Sequence, residues 1–579
     1  MSRHTIADFS SDEMFTMRLK PLAVLLPLCF PSVVMAGGIQ GGDAALDTVV
    51  VEGNRAQQIG IADSANQGTV TGKQLENRPS SRTAEMLEVV PGVIVTQHSG
   101  DGKANQYFLR GFNLDHGTDF RTTVMGMPVN MPTHAHGQGY SDLNFLIPEL
   151  VRTIKYKKGT YYADEGDFSA AGAAEFDYVR TLSKGIASLE AGQNGYRRAL
   201  AADSTAAGAG TWLYALEAVR NDGPWNLAEN YRRYNGVLSY SWKDGADDLR
   251  VTGMAMQSSW NATDQIPQRA IIAGTIERFG AVDPTDGGDT ARYSLSGDWT
   301  RRLDDGQLRA SAYLIRSRLE LFSNFTYFLN DPMNGDQFNQ AEQRTVAGFN
   351  LDRSFVHRLA GRESETTVGV QVRHDRLDPV GLYLTTGRDR LATTREDRVR
   401  ETAVGLFATN TTNWTERFRT VAGLRADRYR FDVGSSDPAN SGTADASNFS
   451  PKVSAIFAPT QHTEFYLNWG RGFHSNDARG IVQTVDPATG LAVDADGNPV
   501  TRATPLVKAI GREAGVRLTG LVPGLQTSIS LWQLRLASEL VFVGDAGTTE
   551  ASRPSRRTGV EIANYYTPAP GWIVDADLA

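Results

Sequence analysis

Residues 365–375 read Glu365-Thr366-Thr367-Val368-Gly369-Val370-Gln371-Val372-Arg373-His374-Asp375, and their alternation decides the fold. On an extended strand Thr366, Val368, Val370, Val372 and His374 share one face, while Glu365, Thr367, Gly369, Gln371, Arg373 and Asp375 share the other. One face suits hydrocarbon and the other suits water. The same reading applies from about residue 185 to the end. At residues 572–578, Trp572, Val574, Ala576 and Leu578 fall outward, and Ile573, Asp575 and Asp577 inward.

Short turn signals punctuate this region near Gly208, Gly245, Asp305, Gly361, Glu416, Gln461, Pro523 and Ala569. Between them lie longer polar stretches, read as loops at 262–290, 331–342, 379–397 and 476–505. Short turns on one side and long loops on the other are the pattern of an outer-membrane barrel. The turns imply about sixteen strands plus the opening of another, whereas a plugged barrel of 22 strands needs roughly five more. A barrel in lipid must close, because strand-edge polar groups left in hydrocarbon cost several kcal/mol each. The sequence is therefore expected to be a C-terminally truncated fragment.

Composition agrees with this class. Hydrophobic residues make up 40% of the 579 and the mean hydropathy is -0.34, so helical membrane spans are not expected beyond the N-terminus. The net charge of -8 argues against a nucleic-acid partner. Met17-Arg18-Leu19-Lys20, the apolar run 21–34 and Val34-Met35-Ala36 form a secretory signal, so residues 1–16 read as a spurious extension and 17–36 as the signal peptide. Cys29, the single cysteine, lies inside that signal, so disulfides and thiolate metal sites are not expected in the mature chain.

Between residue 37 and about 178 the pattern changes. A helix-like segment at 83–90 ends at Pro91-Gly92, and short apolar strands follow at 93–96, 107–110, 122–125 and 150–157. This reads as a small mixed α/β domain, placed at 55–180 behind an arm at 37–54 and ahead of the barrel at 185–579.

These residues resemble the TonB-dependent outer-membrane receptors. Asp47-Thr48-Val49-Val50-Val51-Glu52 looks like the TonB box, and EMLEVVPGVIV (85–95), FLRGF (108–112) and TVMGMPVN (123–130) look like successive plug motifs. Residues 149–179, with IKYKKG (154–159) and AGA (171–173), are similar to the final plug strands. FSPK (449–452) and YLNWGRGF (466–473) resemble a barrel hairpin of the family. The resemblance implies a transmembrane β-barrel in the cell outer membrane of a Gram-negative bacterium, 22-stranded and antiparallel when complete, with about 16 to 17 strands present and the plug inside the lumen. It implies an active transporter, monomeric and not an enzyme, that imports a scarce metal or metal chelate such as a ferric siderophore. The implied partners are TonB with ExbB and ExbD in the inner membrane, outer-membrane lipid and lipopolysaccharide, and the barrel assembly machinery. Family members end in a strand with a terminal aromatic, whereas Ala579 stands last here.

A β-branched run such as Thr48, Val49, Val50 and Val51, led by Asp47, can add as a strand to a partner's sheet edge. Arg78, Arg82, Arg110 and Arg121 are candidates to pair with lumen carboxylates such as Glu365 and Asp375.

The ligand is approached through the plug histidines. His98, His116, His134 and His136 are four of the nine in the chain, and Met125, Met127 and Met131 lead into Thr133-His134-Ala135-His136. If that segment is extended, His134 and His136 point to one side, the spacing of a chelating pair. Imidazoles suit copper, zinc, nickel and iron. Asp119 and His116 add donors on another plug loop, and His474 stands where a barrel strand meets a long loop. Equally, the His-x-His pair can donate hydrogen bonds to an organic ligand, and Met125 and Met127 can simply pack. No permanently bound cofactor is expected. Importers of free or weakly chelated divalent metal stand as the alternative to siderophore uptake, with a surface adhesin or a metallohydrolase as readings of another class. Gly137, Gln138, Gly139 and Tyr140 follow the pair, so the second-metal ligands of a hydrolase are missing. Asp494-Ala495-Asp496-Gly497-Asn498 begins like a calcium loop, but its twelfth position is Pro505.

Overall fold

Burial alternates along the strand Arg362–Thr386: Val368 and His374 are exposed outward, Asp375 is buried, and Gln371 and Arg373 reach inward to the Asp164 and Asn130 carbonyls at 3.1 and 2.9 Å. The strand Tyr231–Asp244 does the same, with Tyr234 and Leu238 outward and Arg233, Asn235 and Ser239 inward. An outer surface carrying Leu216, Leu295, Leu314, Phe349, Leu406 and Leu467 is that of a sheet solvated by lipid. The computed structural model describes residues 59–76, 78, 82–97, 100–494, 497–539, 542–549 and 552–579. The signal segment and the box at Asp47, Thr48, Val49, Val50 and Val51 lie outside the described residues. No helix among the described residues is long and apolar enough to cross a membrane, which says nothing about strands.

Among the described residues, seventeen strands form one barrel sheet, each antiparallel to the next in chain order, beginning with Ile186–Ala191 and ending with Val574–Leu578. All eight short connections fall where the turn signals place them, for example between Asp244 and Asp247 and between Leu359 and Arg362. The stretch 379–397 departs from expectation: it is a tall hairpin rather than a loop. Arg362–Thr386 and Asp389–Thr415 continue through it and are joined by the two residues Gly387 and Arg388, at φ 57° and 72°. Two left-handed residues in succession make the turn that matches strand twist, so a polar Gly-Arg-Asp sequence that reads as loop ends two long strands. Asp389–Thr415 has 27 residues, whereas about 9–11 suffice to cross a bilayer, so this wall rises well beyond the hydrocarbon on the long-loop side.

Inside stands the plug. Its five-stranded sheet has the order Gln67–Thr71, Val151–Lys158, Gly172–Tyr178, Phe120–Val124, Met127–Pro128, with the one parallel pair between Phe120–Val124 and Gly172–Tyr178. A second sheet joins Ile94–Thr96, Gln106–Leu109 and Phe112–Asn113. The 83–90 segment is a 3-10 helix, Thr83–Val89, burying Ala84, Met86, Leu87 and Val89. Met125 and Met127 pack in this core, and the Met125 sulfur accepts the Tyr178 N–H at 3.3 Å. The same cluster continues into lumen-facing Leu200, Met254, Met256, Ile315 and Trp532, so plug and inner wall share one apolar core.

Charge fixes the plug's base. Arg110 donates to Glu561 at 3.0 Å and to Glu513 at 3.4 Å, Lys158 reaches Glu561 at 2.8 Å, and the Arg110 guanidinium lies 4.8 Å over Trp532. The four plug arginines therefore do not meet Glu365 or Asp375. Arg110 pairs with carboxylates far along the chain, Arg78 reaches Asp575 at 2.6 Å, and Arg82 and Arg121 pair with Glu85 and Glu165 of the plug itself. Asp375 is taken by Arg344 and Arg373 of the barrel wall.

Candidate functional site

The apex of the plug is the loop 131–140, which closes on itself. Met131 N–H donates to the Tyr140 carbonyl and Gly139 N–H to the Met131 carbonyl, both at 2.9 Å. Asn130 pins its root: the Oδ1 accepts from Thr122 N–H at 2.7 Å and the Nδ2 donates to the Gly117 and Phe120 carbonyls at 2.9 Å. Ser141 N–H donates to the His116 carbonyl at 2.7 Å, so the loop carrying His116 and the loop carrying His134 and His136 form one unit.

The barrel wall clasps this unit. Strand Phe338–Leu359 presents Gln340, Glu342 and Arg344 inward at period two; Ala135 N–H donates to Glu342 at 2.9 Å, and Arg344 donates to the Thr133 carbonyl. The Thr133 hydroxyl donates to Glu401 and accepts the Ala478 N–H at 2.8 Å. From the outer loop after residue 475, Asp477 accepts the His134 N–H at 3.3 Å and Arg479 donates to the His134 carbonyl at 2.6 Å. A second outer segment covers the loop: Gly137 bridges to Val543, and Phe542 packs under the Arg479 guanidinium at 3.8 Å.

The three histidines divide in an unforeseen way. His134 and His136 do not face one side, because the segment folds back instead of running extended. The His134 ring stacks on Tyr140 at 3.9 Å, its Nδ1 accepts the His136 N–H at 3.1 Å, and its Nε2 stands 3.7 Å from Glu342. His136 instead faces His116, with the two Nε2 atoms 3.0 Å apart. The His116 Nδ1 lies 3.1 Å from both the Ala104 and Asn105 carbonyls, and the His136 Nδ1 lies 2.7 Å from Gln340 Oε1. Their relative exposures are 2%, 4% and 9% for His116, His134 and His136. Burial pushes all three below the ordinary imidazole range, His134 to about 4, so they are neutral at pH 7. Among the described residues no group of three or more His, Cys, Asp or Glu gathers as a metal-holding set. Met131 does not join the ring nitrogens; its sulfur accepts from Arg373 at 3.6 Å.

His474 is buried. Its Nδ1 meets both Asp119 oxygens at 3.0 Å, under a parallel Phe168 ring, tying the barrel to the plug a short way from the histidine loop. His98 lies outside the described residues. In the 494–498 stretch, Asp494 accepts the Asn498 N–H at 2.8 Å, which is turn geometry. Gln340, Glu342, Arg344, Glu401, Asp477 and Arg479 were missed as site residues. The signal available for the first three was charge and amide at period two on a strand's lumen face.

The family model described as "TonB dependent receptor-like, beta-barrel" matches residues 211–579, and that described as "TonB-dependent Receptor Plug Domain" matches residues 61–173. Among solved structures, the chain is similar to the copper transporter OprC (TM-score 0.67, 16% identity, covering 89% of this chain and 78% of that one). It is similar to the unliganded ferric citrate transporter FecA (TM-score 0.69, 14% identity, 87% and 75%) and to the alcaligin receptor FauA of Bordetella pertussis (TM-score 0.61, 16% identity, 88% and 79%). At such identities these likenesses establish the fold. With the barrel model covering more than half of the sequence, the chain belongs to the TonB-dependent receptors, plugged outer-membrane β-barrels of Gram-negative bacteria that act as transporters and not as enzymes.

Proposed function

We propose that this receptor is an active importer of a scarce metal or metal chelate. It would be energised through TonB, with ExbB and ExbD in the inner membrane, at Asp47, Thr48, Val49, Val50 and Val51. The observation that carries the reading is the apex: the buried rings of His116 and His136 meet at 3.0 Å, with His134 in the same loop, under outer segments 476–483 and 542–549. Imidazole nitrogens are donors that suit a late transition metal. Solved structures of this fold include a copper transporter as well as receptors for ferric citrate and alcaligin, so both chelated iron and a less tightly held metal fall within the fold's range. The nitrogen donors favour copper, zinc or nickel over a ferric siderophore, which is bound through its organic shell. Met125 and Met127 take no part, being core residues. Lipopolysaccharide contact and delivery by the barrel assembly machinery belong to the same proposal.

Uptake of radiolabelled copper, zinc, nickel and ferric citrate by cells expressing the full receptor tests it, beside a deletion of residues 47–52. Uptake of one of them that disappears in the deletion, while surface binding persists, is the expected result. Uptake unchanged by the deletion, or no uptake of any metal form, overturns the proposal.

A further inference from the structure

The outer face of the wall built from Thr463–Ser475, Leu506–Thr519, Leu525–Leu536 and Ser555–Tyr566 carries positive charge that nothing beside it balances. The register sets Arg471 opposite Ile510, Ile510 opposite Arg535, and Arg535 opposite Arg556, one outward row across four strands. Lys508 and Arg512 flank Ile510 on the same face, and all five cations are exposed. Like charges directly opposite on neighbouring strands repel, so the Arg535–Arg556 pair is unfavourable by itself. Among the described residues none of the five meets a carboxylate, whereas inward-facing Arg557 pairs with Glu539. The outer face of the tall hairpin differs: there Arg376 and Arg398 share Asp378, Arg400 faces Asp432, and Arg428 faces Asp445.

Towards the short-turn end the same strands become apolar. Leu467, Ala514 and Leu531 lie opposite one another, and the small Ala514 between two leucines leaves an outward-opening groove of about 550 Å³ that Trp469 and Arg512 line as well. The cations stand nearer the long loops, at the upper edge of the lipid-facing band, where the headgroups of the outer leaflet begin. Resting on the lipopolysaccharide contact of the reading above, and independent of the cargo, we propose that this face is a fixed binding site for lipid A, the phosphorylated, multiply acylated base of lipopolysaccharide. The groove takes an acyl chain and the cations take the phosphates. Guanidinium groups bind phosphate through paired N–H donors, and a basic cluster at headgroup depth selects anionic lipid. From Arg471 to Arg556 the row crosses three strand spacings, about 14 Å, which is too wide for one phosphate and suits two phosphates at opposite ends of a disaccharide. Arg471, Lys508 and Arg512 make one end, and Arg535 and Arg556 the other.

The test adds purified diphosphoryl lipid A, and separately its dephosphorylated form, to the full chain in detergent and counts retained lipid by native mass spectrometry. The expected result is one diphosphoryl lipid A per chain, with the dephosphorylated form not retained. Arg471→Gln/Arg535→Gln weakens binding roughly 30-fold, about fivefold for each cation. Ala514→Phe, which fills the groove and leaves every charge in place, weakens it too, while Arg398→Gln/Arg400→Gln on the other face leaves it unchanged. All these side chains point out of the barrel, and heat-modifiable mobility on gels confirms that each variant is folded. No retention by the folded wild type, equal retention of both lipid forms, binding unchanged in both Arg471→Gln/Arg535→Gln and Ala514→Phe, or an equal loss in Arg398→Gln/Arg400→Gln overturns the inference. Retention as expected in a receptor that takes up no metal form upholds the lipid site and removes only the importer reading, and metal uptake without retention does the reverse.

Discussion

The base and the apex of the plug are held to the same barrel by opposite chemistry. At the base, Arg110 and Lys158 face Glu513 and Glu561, two charges against two, all buried and mutually paired. At the apex, the rings of His116, His134 and His136 are neutral, and what secures the loop is mostly backbone: the Thr133 and His134 carbonyls and the His134, Ala135 and His136 amides. A buried charge cluster is costly to separate, because each ion left behind is stranded in low dielectric. The backbone bonds to Glu342, Arg344, Asp477 and Arg479 are each worth about 1.5–3 kcal/mol and exchange one at a time. The base is therefore the anchor, and the apex is the part that can yield to a ligand.

The largest effect is expected where the anchor is broken. Arg110→Met leaves Glu513 and Glu561 against Lys158 alone, with a cost of about 3–5 kcal/mol. Calorimetry should show the plug melting earlier than the barrel, and protease should cut the plug in the folded receptor. A variant that melts like the wild type would show that the apolar core shared by plug and wall, not charge, is the anchor.

Next comes the cover. A Cβ on Gly544 would stand 2.1 Å from the His136 carbonyl oxygen, so Gly544→Ala must lift the 542–549 segment, at about 1–3 kcal/mol of overpacking. Hydrogen exchange should accelerate at 134–137 and 542–549 and stay unchanged around Arg110. Acceleration spreading to the base would mean that the two regions are one cooperative unit.

A pH-dependent contrast follows from the outer loops. Asp286, next to Asp264 and Asp283, has its carboxyl pushed up to about 9, chiefly by burial, while Gln337 donates to it at 3.0 Å. The folded state thus binds a proton that the unfolded state releases above its ordinary carboxylate range. The stability this group contributes is complete below about pH 4 and lost progressively as pH rises through 9. Protection of the 283–290 and 337–340 amides, corrected for the intrinsic base catalysis of exchange, should fall between pH 7 and 9, and Asp286→Asn should flatten that dependence. An identical pH profile in the variant would refute it.

How far this was legible in the sequence follows from range. The alternation at 365–375 and the eight short turns are properties of neighbours two residues apart, and they gave the barrel, its strand count and the plug ahead of it. The hairpin through 379–397 was missed because a two-residue left-handed turn and a polar loop share a composition. At the apex, sequence singled out His116, His134 and His136 and expected His134 and His136 to share a side, whereas His136 faces His116. Which ring faces which is decided by the Met131–Tyr140 closure and the Asn130 side chain, neither of which a period shows. Arg110 was a candidate for a lumen carboxylate, but Glu561 lies 451 residues away and only the fold selects it.

The smallest change sharpens the contrast most cleanly. Tyr140 stacks on His134, and its hydroxyl accepts the Ala104 N–H at 2.9 Å beside the carbonyl that holds His116. Tyr140→Phe keeps the ring and removes only that acceptor, so the expected loss is about 1 kcal/mol, a downward shift of the plug transition by a few degrees. If the apex is an assembly of independent bonds, exchange should rise at the Ala104 amide and stay level at His134 and His136. A rise across all three loops at once would mean that the apex is locked as tightly as the base, and that a ligand must disrupt both to pass.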